Sequence, residues 1–94
     1  KPDELLSFAD SLIGPLLEYD ANKGSELLKT VYTYLENECN LYKTARILNV
    51  SISGMRYRIN RIKELTGLDL TVSSTRYDIH LAVDIYLALG KLQF

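Results

Sequence analysis

Ninety-four residues, 47% of them hydrophobic and carrying eleven bases against twelve acids, supply enough apolar surface for one domain with a modest core but not for two. No stretch approaches the roughly 20 apolar residues of a membrane span, and no cationic head precedes an apolar signal segment, which points to a cytoplasmic protein without a membrane partner. Cys39 has no second cysteine for a disulfide or a metal site and reads as a reduced thiol, and the opening Lys-Pro-Asp without an initiator Met reads as a fragment of a longer chain.

Helical spacing recurs along the chain and strand alternation is absent, so the expected fold is all-α, a five-helix single domain over residues 1–94. Asp3 is placed to cap a first helix whose Leu5, Phe8, Ala9, Leu12 and Ile13 form an amphipathic stripe, and Gly14-Pro15 is expected to stop it. Leu16, Leu17 and Tyr19 then cross to a second helix introduced by Ser25 and Glu26, with Leu27, Leu28, Val31, Tyr34 and Leu35 on its buried side. Asn37 and Asn40 mark its end. Asn40 is also a good N-cap for a third helix, Leu41 to Leu48, and Asn49 sits where a left-handed turn residue is needed. Ser51 or Ser53 caps a fourth helix that runs to Thr66 and closes on Gly67. Ser73, Ser74 or Thr75 caps the last helix, expected over roughly 76–92.

The charge is unevenly spread. Asn40 to Lys63 holds six of the eleven Lys and Arg residues and no acid, so a net charge of −1 conceals a cationic segment on a mildly acidic body. That is the footprint expected where a polyanion docks. Within the same segment Ala45, Leu48, Val50, Met55 and Ile59 fall where a helix-turn-helix needs one small residue at the crossing and apolar residues joining its helices.

At about 100 degrees per residue, Ile52, Met55, Ile59, Ile62 and Thr66 share one face of the fourth helix, expected to be buried. Ser53, Tyr57, Asn60, Arg61 and Glu64 lie opposite, with Arg56 and Lys63 on one flank and Arg58 on the other. Residues in the first two turns of a recognition helix reach base edges in a major groove, which selects Ser51, Ser53, Gly54, Arg56, Tyr57 and Asn60 as candidate base contacts. Arg58, Arg61 and Lys63 are assigned to phosphates, with Tyr42, Lys43 and Thr44 contacting the DNA backbone from the preceding helix.

The run Gly14-Pro15-Leu16-Leu17-Glu18-Tyr19-Asp20, then Tyr34-Leu35-Glu36, Asn40-Leu41, Thr44-Ala45-Arg46, Arg56-Tyr57-Arg58, Arg61-Ile62 and Leu65-Thr66-Gly67-Leu68-Asp69 resembles the C-terminal DNA-binding domain of bacterial regulators of the PucR and CdaR type, which govern purine and sugar-diacid utilisation. The resemblance implies a helix-turn-helix of the factor-for-inversion-stimulation type at the end of a transcriptional regulator whose sensing part lies elsewhere. One departure stands out: the family commonly has His-Arg-Asn-Thr at the start of the recognition helix, where this chain has Ser51-Ile52-Ser53-Gly54. A tip so reduced in charge and reach implies either a different operator, with Ile52 touching a thymine methyl, or more shape-based binding.

The last helix is apolar on more than one face, so it either forms a central helix or offers part of a homo-oligomer surface. His80 on that helix reads as a packing or surface histidine. No phosphate loop, paired metal ligands or nucleophile and base set is present, so no enzyme activity, metal or cofactor is expected. The competing reading of the chain is a helical protein-interaction or dimerisation module that has lost DNA readout.

Overall fold

α1 (Pro2–Lys23) runs unbroken through Gly14 and Pro15, where the sequence predicts a stop. Proline in a helix interior costs about 3 kcal/mol. Here Ile13 and Leu16, on either side of the break point, are both within 1% of full burial, and burying two such side chains stabilises by roughly 3–6 kcal/mol. Continuing the helix keeps both on one stripe. Pro15 itself lies on the solvent side, as does Ser11, whose carbonyl would otherwise bond the missing N–H, so water can satisfy that oxygen. Asp3 does not cap α1. It sits in the first turn behind Pro2, and Lys1 holds the cap position.

The computed structural model describes residues 1–94, and α1 is followed by α2 (Leu27–Glu36), α3 (Leu41–Leu48), α4 (Ile52–Thr66) and α5 (Ser73–Ala88), with no strand. α5 lies along α1, and α2 and α4 close the remaining sides of the core. Ala9, Ile13 and Leu16 of α1 meet Leu27, Leu28 and Val31 of α2, Ile62 of α4, and Ile79, Ala82, Val83, Ile85 and Tyr86 of α5 in one buried cluster. The helix read as surplus in apolar surface is therefore mostly spent inside the domain. On α5 only Tyr77 remains a large exposed apolar side chain, and Leu81 and Leu87 are half-buried against the core.

α5 also begins and ends earlier than the sequence predicts. Ser73 is its first residue and Val72 its cap, with no side-chain cap bond. The preceding turn is held instead by the Asp69 carboxylate, which accepts from the Thr71 N–H at 2.9 Å and from its hydroxyl at 2.7 Å. At the far end Gly90 takes a left-handed conformation, φ 69°, and the Lys91 N–H reaches back to the Tyr86 carbonyl at 2.9 Å. That closure stops the helix at Ala88 and turns Leu92 back toward the core.

Candidate nucleic-acid interface

α3 and α4 form a pair whose ends are written into their local sequence. The Asn40 side chain accepts from the Lys43 N–H at 2.9 Å, fixing the start of α3. Asn49 ends it in a left-handed conformation, φ 57° and ψ 47°, and the Val50 N–H closes on the Ala45 carbonyl at 2.9 Å. Ser51 then caps α4, its hydroxyl oxygen accepting from the Gly54 N–H at 2.9 Å. A side-chain carbon added to Gly54 would lie 3.1 Å from that same oxygen, so glycine lets the cap fold tightly over the first turn. Ala45 is 2% exposed in this pair and Met55 fully buried.

With Met55 and Ile62 fully buried, the rotation of α4 is fixed. Ser53, Arg56, Tyr57, Asn60 and Lys63 are exposed on its outer side, and Ser51 is exposed at the tip, with Gly54 half-buried beside it. Tyr57 is 62% exposed. Neither Arg56 nor Lys63 takes part in a salt bridge, which leaves their cationic heads free. On α3, Tyr42 and Lys43 are exposed.

Thr44, by contrast, is fully buried, and its hydroxyl donates to the Asn40 carbonyl at 2.8 Å, so its side chain serves the first turn of α3 rather than a phosphate. A threonine one turn into a helix follows the buried stripe set by Ala45, and sequence position alone does not reveal that rotation.

The other flank of α4 is organised from behind by Thr30 of α2 and Tyr19 of α1. Arg58 donates from Nη1 to Thr30 Oγ1 at 2.9 Å, and the Thr30 hydroxyl in turn donates to the Glu26 carbonyl at 2.7 Å. Arg61 stacks over the Tyr19 ring, Cζ 5.1 Å from the centroid, and its Nε donates to the Tyr19 hydroxyl at 3.4 Å. Its Nη1 lies 3.6 Å from the Glu64 carboxylate. The Tyr19 contact, ahead of smaller contributions, holds this guanidinium above its ordinary pKa. Next to Tyr19, the Asp20 carboxylate accepts from the Leu27 N–H at 2.8 Å, the Leu28 N–H at 3.0 Å and the Ser25 hydroxyl. Asp20 thus caps α2 from the end of α1, whereas Ser25 and Glu26, the residues expected to introduce that helix, make no cap bond to it. In the sequence, the Glu18-Tyr19-Asp20 run within the family resemblance marks Tyr19 and Asp20 but neither of these contacts.

Away from this surface His80 is more constrained than a packing histidine. Its Nε2 lies 2.8 Å from Glu36 of α2 and its Nδ1 3.0 Å from Asp84, one turn along α5. Tyr32 stacks on its ring at 4.9 Å and donates its hydroxyl to Asp84 at 2.7 Å. Burial first, then that hydrogen bond and the neighbouring carboxylates, push the Tyr32 phenol up to about 12. The Asp84 half of the arrangement was available in the sequence as an i, i+4 pair. The Glu36 half required the tertiary fold.

A short helix pair with capped ends, a buried crossing and an acid-poor exposed second helix defines a helix-turn-helix DNA-binding domain. Comparison with known proteins agrees: the family model for the PucR C-terminal helix-turn-helix domain matches residues 27–85, and the chain belongs to that family. It is 33% identical over 79 residues to the proline-responsive transcriptional activator PutR of Bacillus subtilis, covering 84% of this chain and 19% of that protein. The DNA-binding transcriptional activator AdeR of the same organism is 23% identical over 73 residues, 78% of this chain and 17% of its own length. An uncharacterised Haemophilus influenzae protein is 39% identical over 59 residues, 63% of this chain and 16% of that protein. The chain spans less than a fifth of the length of these relatives. No solved structure matches it. No helix of the protein is long and apolar enough to cross a membrane.

Proposed function

We propose that the domain is the output module of a bacterial transcriptional regulator and docks α4 in the major groove of double-stranded DNA. Arg56 and Asn60 are its principal base readers, one matched to the acceptor pair of guanine and the other to adenine, with Ser53 and Tyr57 on the same face and Ser51 and Gly54 letting the helix tip approach closely. Lys43 and Tyr42 of α3, with Arg58, Arg61 and Lys63 of α4, hold phosphates. The observation that carries this reading is the exposure of Ser53, Arg56, Tyr57 and Asn60 on a helix whose opposite side, Met55 and Ile62, is fully buried.

The intact regulator is proposed to bind as a dimer or higher oligomer, because one such domain covers a half-site and the reduced tip leaves it little affinity to spare. The half-sites then lie about one helical turn, ~10 base pairs, apart. The inward packing of α5 argues against that helix as the main pairing surface.

Titration of this chain against labelled duplexes over a salt series tests the reading. Four phosphate-facing cations, Lys43, Arg58, Arg61 and Lys63, give a slope of log affinity against log salt of roughly −3 to −4. Absence of binding at low salt, or a slope near zero, would overturn it in favour of an interaction module.

A further inference from the structure

A groove of about 460 Å³ opens beside the first half of α4, on the flank away from Arg56 and Lys63, between that helix and the corner joining α1 to α2. Tyr19, Ser25, Gly54, Tyr57, Arg58 and Arg61 line it, and its one acid, Glu26, is drawn to Lys29 at 3.8 Å. Asp20, the other carboxylate at this corner, is occupied by the α2 backbone. The lining therefore presents two guanidinium groups against one carboxylate, Glu26, which faces Lys29.

Both guanidiniums are also tethered from the protein side. Arg61 is stacked and hydrogen-bonded by Tyr19 of α1, with its Nη1 also 3.6 Å from Glu64 outside the groove lining, and Arg58 is bonded by the fully buried Thr30 of α2. A free arginine loses considerable rotamer entropy when it binds a phosphate, and a guanidinium already held by one edge loses less while keeping N–H groups to offer. Tyr19 lies outside the segment that matches the family model, which begins at residue 27, yet it touches a cation on α4.

We propose that this groove receives the sugar–phosphate backbone of one DNA strand, with Arg58 and Arg61 on its phosphate oxygens and Tyr19 as the positioning residue for Arg61. The inference rests on the docking of α4 proposed above and extends the DNA-contacting surface to the end of α1. Its occupant follows from charge and continuity: the groove adjoins the base-facing stripe of the same helix, where a strand bordering the major groove must run.

A double-mutant cycle tests it, measured by fluorescence anisotropy with this chain and a fluorescein-labelled duplex of random sequence over a salt series. Tyr19→Leu leaves net charge unchanged, yet the positioning role predicts that it makes the salt slope shallower, toward the loss of about 0.9 expected for removing one phosphate contact by Arg61→Ala. The double variant then binds within about twofold of Arg61→Ala alone, because the ring has nothing left to position. Tyr19→Phe retains the stack and most of the affinity. Tyr19→Met, which fills similar volume without a ring, carries the same cycle if the leucine variant does not fold. Losses that add in the double variant, or a wild-type salt slope in the ringless variants, would overturn the positioning role. If the wild-type chain binds no duplex, the docking of α4 fails with it, an outcome separable from additive losses in a chain that binds.

Discussion

Changing Asp20 to Ala should destabilise the domain through a helix in which Asp20 does not lie. α2 begins at Leu27 with no cap bond from Glu26, and the Asp20 carboxylate at the end of α1 satisfies the Leu27 and Leu28 N–H groups. Losing an N-cap costs about 0.5–2 kcal/mol, and removing a negative charge from a helix N-terminus adds about 0.3–1 kcal/mol. Asp20 is half-buried, so water partly replaces it, and we expect about 2 kcal/mol for Asp20→Ala, or a fall in Tm of roughly 8–16 °C for a domain of this size. Asp20→Asn keeps one acceptor and the shape but not the charge, and should lie near the midpoint. Ser25→Ala, which removes only the third hydrogen bond, should cost least. Thermal unfolding followed by circular dichroism at 222 nm measures all three. An Asp20→Ala protein melting within about 2 °C of wild type, against the fall of at least about 8 °C expected, would refute the assignment of Asp20 as the α2 cap.

Ala45→Leu should overpack the α3–α4 unit, where Ala45 is 2% exposed, by about 1–3 kcal/mol, and thermal melting with unchanged stability would remove Ala45 from the crossing. Arg56→Ala should weaken binding by ~1–3 kcal/mol and relax preference at one base position, whereas Lys63→Ala should weaken all duplexes alike; selection from random duplexes separates the two patterns, and equal sequence-independent losses would show the division of base and phosphate contacts to be wrong. The Tyr32 phenol, raised from 10.0 to about 12 in the fold, contributes stability that is fully present below pH 10 and lost as pH rises through 12. Spectrophotometric titration should find a phenol titrating near 12 that Tyr32→Phe removes, and an alkaline titration that the substitution leaves unchanged would contradict the burial and the Asp84 contact that raise it. Because α5 packs its apolar residues inward, this chain alone should sediment as a monomer; a dimer dissociated by Tyr77→Glu would restore α5 as a pairing surface.

The α3–α4 pair was legible from the sequence because its signals are local. Asn40 and Ser51 bond N–H groups three residues ahead, and Asn49 and Gly67 adopt left-handed backbone conformations that their own chemistry favours. Helical rotation placed Met55 and Ile62 inside and Arg56 and Asn60 outside, since that follows from about 3.6 residues per turn and the hydrophobic effect. The segregation of cations into residues 40–63 needed only counting. What the tertiary structure alone decided depends on partners distant in the chain. α1 continues through Pro15 because α5 receives the stripe on both sides of it, and a local rule for proline has no term for that burial. Arg58 and Arg61 looked alike as surface bases, yet one is held by Thr30, 28 residues away, and the other by Tyr19, 42 residues away. α2 lacks a cap in its own sequence and borrows Asp20 from the preceding helix. A sequence states which groups need a partner; only the packed chain brings that partner within about 3 Å, where a hydrogen bond forms.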